Sequence, residues 1–270
     1  MKFSKWTGLG NDFVLVEPGE FFDLGDGLAE RVIKLCDRRF GIGADGVVLV
    51  NPLDDSGVYF AKGNGIDFEM RIFNADGSEA AMCGNATRCV AKFIRSRGLG
   101  DAETFVLHTK SGLVKPTILD DGRVCVDMGL ARDFLGSIKL EACGNKFDAE
   151  TVSMGNPHSV IFVDDINSIE LEKWGAVLEV DKQFPDRCNI EFAQVVEPGK
   201  IRMRVWERGC GVTMACGTGS CATLVAAQRT GRVGLEADVV LDGGTLHIKH
   251  EKNGPVLMTG PATEVFKGKI

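Results

Sequence analysis

Apolar and polar residues alternate in short runs along most of this chain, and only in four places does the spacing lengthen to the repeat of a helix. "DFVLVE" follows the Gly-rich turn "TGLGN" and reads as a strand. Leu28, Val32, Leu35 and Cys36 recur at helical spacing and predict a helix over residues 27–39. "GIGADGVVLV" then supplies a turn and a buried strand. After a polar loop, "DFEMRIFNADGSE" alternates as a strand and ends in an Asn-Ala-Asp-Gly turn. Val90, Phe93 and Ile94 share one face of a helix predicted for residues 85–97, with Gly98 as its stop signal. "TFVLHT", "LVKPTIL" and "RVCVDMG" read as strands.

The second half has the same outline. Strands "TVSMGN" and "SVIFVDD" precede the helix-like "IELEKWGAVLEV", and "NIEFAQVV" and "KIRMRVWERG" follow as strands. "TGSCATLVAAQRTG" is a strong helix former closed by Gly231. The strands "DVVL", "GTLHIKH" and "PVLMTG" come last. Two phrases repeat in equivalent places, each just before a helix: "AMCGNATRCV" from Ala81 and "MACGTGSCAT" from Met214. The shared order implies an internal duplication, with a boundary in the turn-rich residues 122–129. A third Cys-Gly-Asn, at Cys143, has nothing helical after it and stands apart.

Composition narrows the class. Hydrophobic content of 44% and charged content of 26% suit an ordinary soluble globule. The net charge of −7, with Lys and Arg scattered, argues against a nucleic-acid partner and against an acidic membrane surface. The opening residues lack a signal peptide's apolar core, and no stretch approaches a membrane span of roughly 18 apolar residues, so a cytoplasmic location is expected. The nine cysteines are an odd number and include no C-x-x-C, and the four histidines do not group with them, which argues against structural zinc. "GIGADG" spells a dinucleotide fingerprint, but a helix precedes it and a strand follows, the reverse of the required context.

The cysteine phrases carry the chemistry. A thiol at the first turn of a helix feels the positive end of the macrodipole, which can lower its pKa from about 8.5 to between about 3.5 and 7.5. The same helix start presents unpaired backbone N–H groups to an anion, and glycine lets the anion approach. Two symmetric thiols suit a two-base reaction: one sulfur removes a proton from a carbon acid while the other protonates the opposite face. A bound carboxylate between two helix starts would stabilise the developing charge. A thiol redox sensor, a single-nucleophile hydrolase using a base such as His158, and a non-catalytic binding module remain alternatives at this point.

"GLGNDF", "RIFNADGSE" before "MCGN", "SMGNPHSV" and "ERGCGVTMACGTGS" resemble, in order through essentially the whole chain, the diaminopimelate epimerase family. The resemblance implies an α+β fold of two pseudo-symmetric domains, each a curved mixed sheet wrapped round a central helix. The expected halves are residues 1–127, completed by a C-terminal strand at 262–270, and residues 128–261. It implies interconversion of LL- and meso-diaminopimelate, on the route to lysine and peptidoglycan, with no cofactor and no metal. By motif, Cys83 and Cys216 would be the acid/base thiols, with Glu207 and His158 assisting. Gly84, Asn85, Gly217 and Thr218 would bind the carboxylate at the reacting centre; Asn11, Asn74, Asn156, Asn189 and Arg208 would hold the far end of the substrate. Gly46 stands where many relatives have Gln, so one side-chain contact is missing or supplied elsewhere. Phe266 would fill the place of an aromatic through which relatives dimerise. Two-thiol racemases of other amino acids, such as histidine or proline, share the resemblance and are the rival reading of substrate.

Overall fold

In the computed structural model, residues 1–16, 27–52, 65–251 and 253–270 are described. Most of the polar loop expected before "DFEMRIFN" falls at residues 53–64, outside them. In chain order the elements are β1 (Lys2–Gly8), β2 (Asn11–Val16), α1 (Leu28–Cys36), β3 (Gly46–Pro52), β4 (Phe68–Asn74), β5 (Glu79–Ala80) and α2 (Gly84–Ser96). Short strands β6 (Leu107–Thr109), β7 (Gly112–Val114), β8 (Pro116–Ile118) and β9 (Val124–Asp127) follow. Then come β10 (Arg132–Ala142), β11 (Asn145–Ser153), β12 (Pro157–Phe162), α3 (Leu171–Leu178), β13 (Asn189–Glu197), β14 (Lys200–Glu207) and β15 (Gly211–Val212). The chain closes with α4 (Gly217–Arg229), β16 (Glu236–Leu241), β17 (Gly244–His250), β18 (Val256–Gly260) and β19 (Thr263–Lys269).

The chain divides into two compact units, Met1–Val126 with Gly260–Ile270, and Asp127–Thr259. The first is built on the sheet β19-β1-β2-β3-β4-β6-β7, with β5 on β4. The second follows β10-β11-β12-β13-β14-β16-β17-β18, with β15 on β14. Pairing sense repeats between them: β2 with β3 and β12 with β13 are parallel, as are β4 with β6 and β14 with β16. The pairs between those, β3 with β4 and β13 with β14, are antiparallel. The duplication read from two phrases thus extends to strand order and direction.

One helix is central to each unit. Gly84 through Ala91, Phe93 and Ile94 are all buried in α2, and α4 is buried along almost its whole length. A helix buried all round needs cover on every side. α4 touches β11, β12, β13, β16 and β17. Laid flat, the six strands from β11 to β17 would extend about 24 Å, twice the width of a helix, so the sheet curves round it. α2 likewise packs on β1, β2, β8 and β19. The other helices cover outer faces: α1 closes a core of Phe3, Val14, Val32, Leu35 and Val47, and α3 one that includes Leu171, Leu178, Ile190 and Phe192. Among the described residues, no helix is long and apolar enough to cross a membrane.

Several local departures have physical causes. β1 breaks the apolar pattern because Lys5 is buried, its ammonium 2.7 Å from Asp12 and bonded to the Gly43 carbonyl. α1 stops at Cys36, a turn early, because Asp37 leaves helical geometry and its carboxylate accepts the N–H groups of Arg39 and Phe40, both at 2.7 Å. "LVKPTIL" is two strands: β7 pairs with β6, and from Pro116, which has no N–H, β8 pairs with β9. The β10–β11 hairpin escaped the pattern because β10 is exposed from Arg132 to Ser137. Its turn is Cys143–Gly144, both with positive φ (52° and 82°), so the third Cys-Gly-Asn is an exposed hairpin turn.

Candidate active site

In the first unit, Cys83 caps α2 in extended geometry (φ −145°, ψ 114°). The helical ladder starts with Thr87 N–H donating to the Cys83 carbonyl at 2.9 Å, so the N–H groups of Gly84 and Asn85 stand ahead of it. The β1–β2 turn, with Leu9 and Gly10 at positive φ, delivers Asn11 to the same place. Asn11 Oδ1 accepts from Asn85 Nδ2 at 3.3 Å and lies 3.9 Å from the Cys83 sulfur. Asn11 is itself held: its Nδ2 donates to Asp45 at 2.7 Å, and Arg38 bridges Asp45 (2.7 Å) to Asp12 (2.8 Å). Asn74, exposed at the end of β4, donates instead to Ser78 Oγ at 3.0 Å.

Gly46 has a steric explanation. It opens β3 opposite Asn74, and a Cβ there would lie 2.5 Å from the backbone oxygen of Phe73. No side chain fits without moving the β3–β4 backbone.

The second unit repeats the plan. Cys216 caps α4 in extended geometry (φ −122°, ψ 112°), and Ser220 N–H starts the ladder on its carbonyl at 3.0 Å. Gly217 and Thr218 match Gly84 and Asn85 in position. Asn156 enters before β12 as Asn11 enters β2, and its Nδ2 donates to Thr218 Oγ1 at 3.4 Å. Its Oδ1 lies 3.1 Å from Nε2 of His158, which is fully buried. Asn189, paired in register with His158, donates to the Pro157 carbonyl at 2.8 Å and accepts Arg208 N–H at 3.0 Å. The Arg208 side chain is exposed and donates to the Asp186 carbonyl at 3.2 Å. Glu207, at the end of β14, accepts from the Thr213 hydroxyl, and its charge acts on the Cys216 sulfur.

The electrostatics of Cys216 differ from the simple helix-terminus expectation. Gly219 N–H does donate to its sulfur at 3.4 Å, and Thr218 Oγ1 lies 3.6 Å away. Burial opposes the thiolate more strongly, and the carboxylates of Glu207 and Glu191 add to it, so the thiol is pushed well above its ordinary value. Burial likewise raises Glu207 above the usual carboxylate range. Burial and these carboxylates therefore favour the protonated sulfur at Cys216. Sequence could show the capping position and, by resemblance, Glu207 of β14, but not Glu191, which arrives from β13.

Two groups were missed from sequence. Asp12, Asp45 and Arg38 clamp Asn11, and the only hint was the Asp of "GIGADG", a motif rejected for nucleotide binding. Glu191, buried in β13, faces His158 across 2.7 Å; "NIEF" reads simply as a strand. Among the described residues, no cluster of His, Cys, Asp or Glu could hold a metal ion.

Solved structures share the fold: a hydroxyproline epimerase from Agrobacterium vitis with bound trans-4-hydroxy-L-proline (TM-score 0.69, 18% identity, 99% of this chain and 91% of that one). So does a Bacillus anthracis phenazine-biosynthesis protein of the PhzF family (TM-score 0.69, 17% identity, 100% and 98%). At these identities they speak for architecture alone, two mixed-sheet domains with few helices. Sequence relatives are much nearer. The diaminopimelate epimerase of Nostoc punctiforme is 44% identical over 290 residues, covering 100% of this chain and 99% of its own. Those of Carboxydothermus hydrogenoformans and Desulforudis audaxviator are 44% and 45% identical, each over 100% of this chain and 99% of theirs. The family profile described as diaminopimelate epimerase matches residues 3–133 and 150–265. With a capped cysteine, its asparagine and the same strand order in each half, and with full-length relatives of one kind, this chain belongs to the diaminopimelate epimerase family.

Proposed function

We propose that the protein epimerises LL-diaminopimelate to meso-diaminopimelate by two-base proton transfer at the α-carbon. Cys83 acts on one face and Cys216 on the other. The observation that carries this is the duplication of a capped thiol, with helix-start N–H groups beside each sulfur. A substrate carboxylate at those N–H groups is stabilised as negative charge develops on its α-carbon. Cys216, held as a thiol, donates the proton in one direction, and Cys83 then starts that direction as the base. In the reverse direction the protonation states exchange. Glu207, His158 and Asn156 contact the substrate on the Cys216 side, and Asn11 and Asn85 on the Cys83 side. Asn74, Asn189 and Arg208 receive the distal amino-acid head, for which an arginine fork and amide groups are suited. Apolar substrates would leave these groups unpaired. The chemistry uses side chains and backbone only, with no cofactor or metal.

The test is turnover by substrate panel. LL-diaminopimelate should be epimerised, at a rate unaffected by hydroxylamine or a chelator. Turnover of histidine or proline with none of diaminopimelate would overturn the reading.

We also propose a cytoplasmic, homodimeric enzyme. The reaction needs free thiols, which a reducing compartment preserves. β19 is an outer strand of its sheet, and its Val265 and Phe266 are exposed, Phe266 resting edge-on to Phe3 at 6.1 Å. Light scattering should give a dimer for the native chain and a monomer for Val265→Lys; a native monomer would refute it.

A further inference from the structure

Glu191 is the third residue of β13, between residues that are themselves fully buried, Ile190 and Phe192. Its carboxylate has no solvent access. Oε1 meets His158 Nδ1 at 2.7 Å, and Oε2 has no hydrogen-bond partner among the described residues. A half-satisfied buried carboxylate is costly, and an apolar residue of similar size would fill the place more cheaply. Gly219 indicates what the acid faces. A Cβ there would lie 2.7 Å from Glu191 Oε1 and 3.2 Å from Cys216 Sγ, so the carboxylate and the sulfur are at most about 6 Å apart, across glycine's bare face.

We propose that Glu191 is a positioning residue for this half of the site: it fixes His158 with Nδ1–H turned to β13, and its charge, acting past Gly219, keeps the proton on the Cys216 sulfur. The inference rests on the two-thiol reading and deepens it. With Nδ1 carrying the ring proton toward Glu191, Nε2 is bare, and the Asn156 amide, whose two ends are alike in shape, takes the orientation opposite to the one that donates to Thr218, with its nitrogen toward Nε2. Asn156 Oδ1 then accepts from the Thr218 hydroxyl, whose oxygen lies 3.6 Å from Cys216 Sγ. A relay of one polarity runs from the sulfur to the buried acid through Thr218, Asn156 and His158. The groups facing Cys216 are Glu191 from β13, Glu207 from β14, and Thr218 and Gly219 N–H from α4. Those facing His158 are Glu191, Asn156 and the charge of Glu207.

Glu191→Gln keeps the size and an acceptor oxygen and removes only the charge. Alkylation of Cys216 by iodoacetamide, followed by peptide mass spectrometry across pH, should show its midpoint moved down by about two pH units. That is the effect of a unit charge about 6 Å away at an effective dielectric constant of about 20. kcat on diaminopimelate should fall about tenfold or more, with KM changed less than about threefold. An unmoved or raised midpoint in the folded variant would overturn the proposal. The second readout needs no variant at Glu191: in the 1H–15N spectrum of the native protein, His158, assigned by its loss in His158→Asn, should carry a proton at Nδ1. A bare Nδ1 would overturn it. If the native protein fails to turn over diaminopimelate, the functional reading falls, while these two readouts still decide the role of Glu191.

Discussion

Replacing Asp12 by asparagine removes the charge at the centre of the clamp behind Asn11. The Asp12 carboxylate is 2.7 Å from Lys5 Nζ and 2.8 Å from Arg38 Nη2, and accepts Asp45 N–H at 3.0 Å. Burial pushes its pKa up, but Arg38 and Lys5 together outweigh burial and hold it at about 2, against an ordinary 3.8. That difference corresponds to about 2.4 kcal/mol of folding stability. The folded pKa is the lower one, so this stability is fully present above the unfolded value and is lost as pH falls through the folded one. By linkage, about half remains at pH 3, roughly 1.3 kcal/mol. Urea unfolding of the native and Asp12→Asn proteins, followed by circular dichroism, should therefore show a deficit of about 2.4 kcal/mol at pH 7 that shrinks to about half at pH 3. A deficit under about 0.5 kcal/mol at pH 7, or one equal at the two pH values, would refute the assignment of this energy to the ionised carboxylate.

Other consequences follow from packing and the thiols. Gly175→Ala in α3 places a methyl group 2.6 Å from Trp206 Cβ, and Trp206 is pinned by its indole N–H to Glu179 at 2.6 Å; a loss of about 1–3 kcal/mol in thermal unfolding is expected, and an unchanged midpoint would show the contact to be soft. If both thiols transfer protons, as proposed, Cys83→Ser and Cys216→Ser should each lower epimerase kcat by about a hundredfold or more. Full activity in either single variant would point to one nucleophile instead of two bases.

Much of this was legible in the sequence where a local rule operates. The paired cysteine phrases announced themselves because an N-cap followed by small residues and a helix former is a local pattern, and both helices begin within the phrases, directly after the cysteine, at Gly84 and Gly217. Cys143 could be set aside for the same reason, lacking a helix. What stayed hidden depends on residues far apart in sequence. Lys5 looks like a surface residue until Asp12 and Gly43 meet it, so β1 was not seen. The upward push on Cys216 is invisible locally, because helix polarity predicts the opposite and Glu191 and Glu207 come from separate strands. Gly46 looked like a missing contact, and only the β3–β4 register shows the Phe73 carbonyl occupying the space.

Whether two different groups handle the proton on opposite faces of one carbon is read from early turnover of LL-diaminopimelate in deuterium oxide. Two-base transfer should place deuterium at the inverted α-carbon of the meso product while recovered LL substrate still carries protium. Deuterium entering recovered substrate as fast as product would mean that a single base serves both faces, and would contradict it.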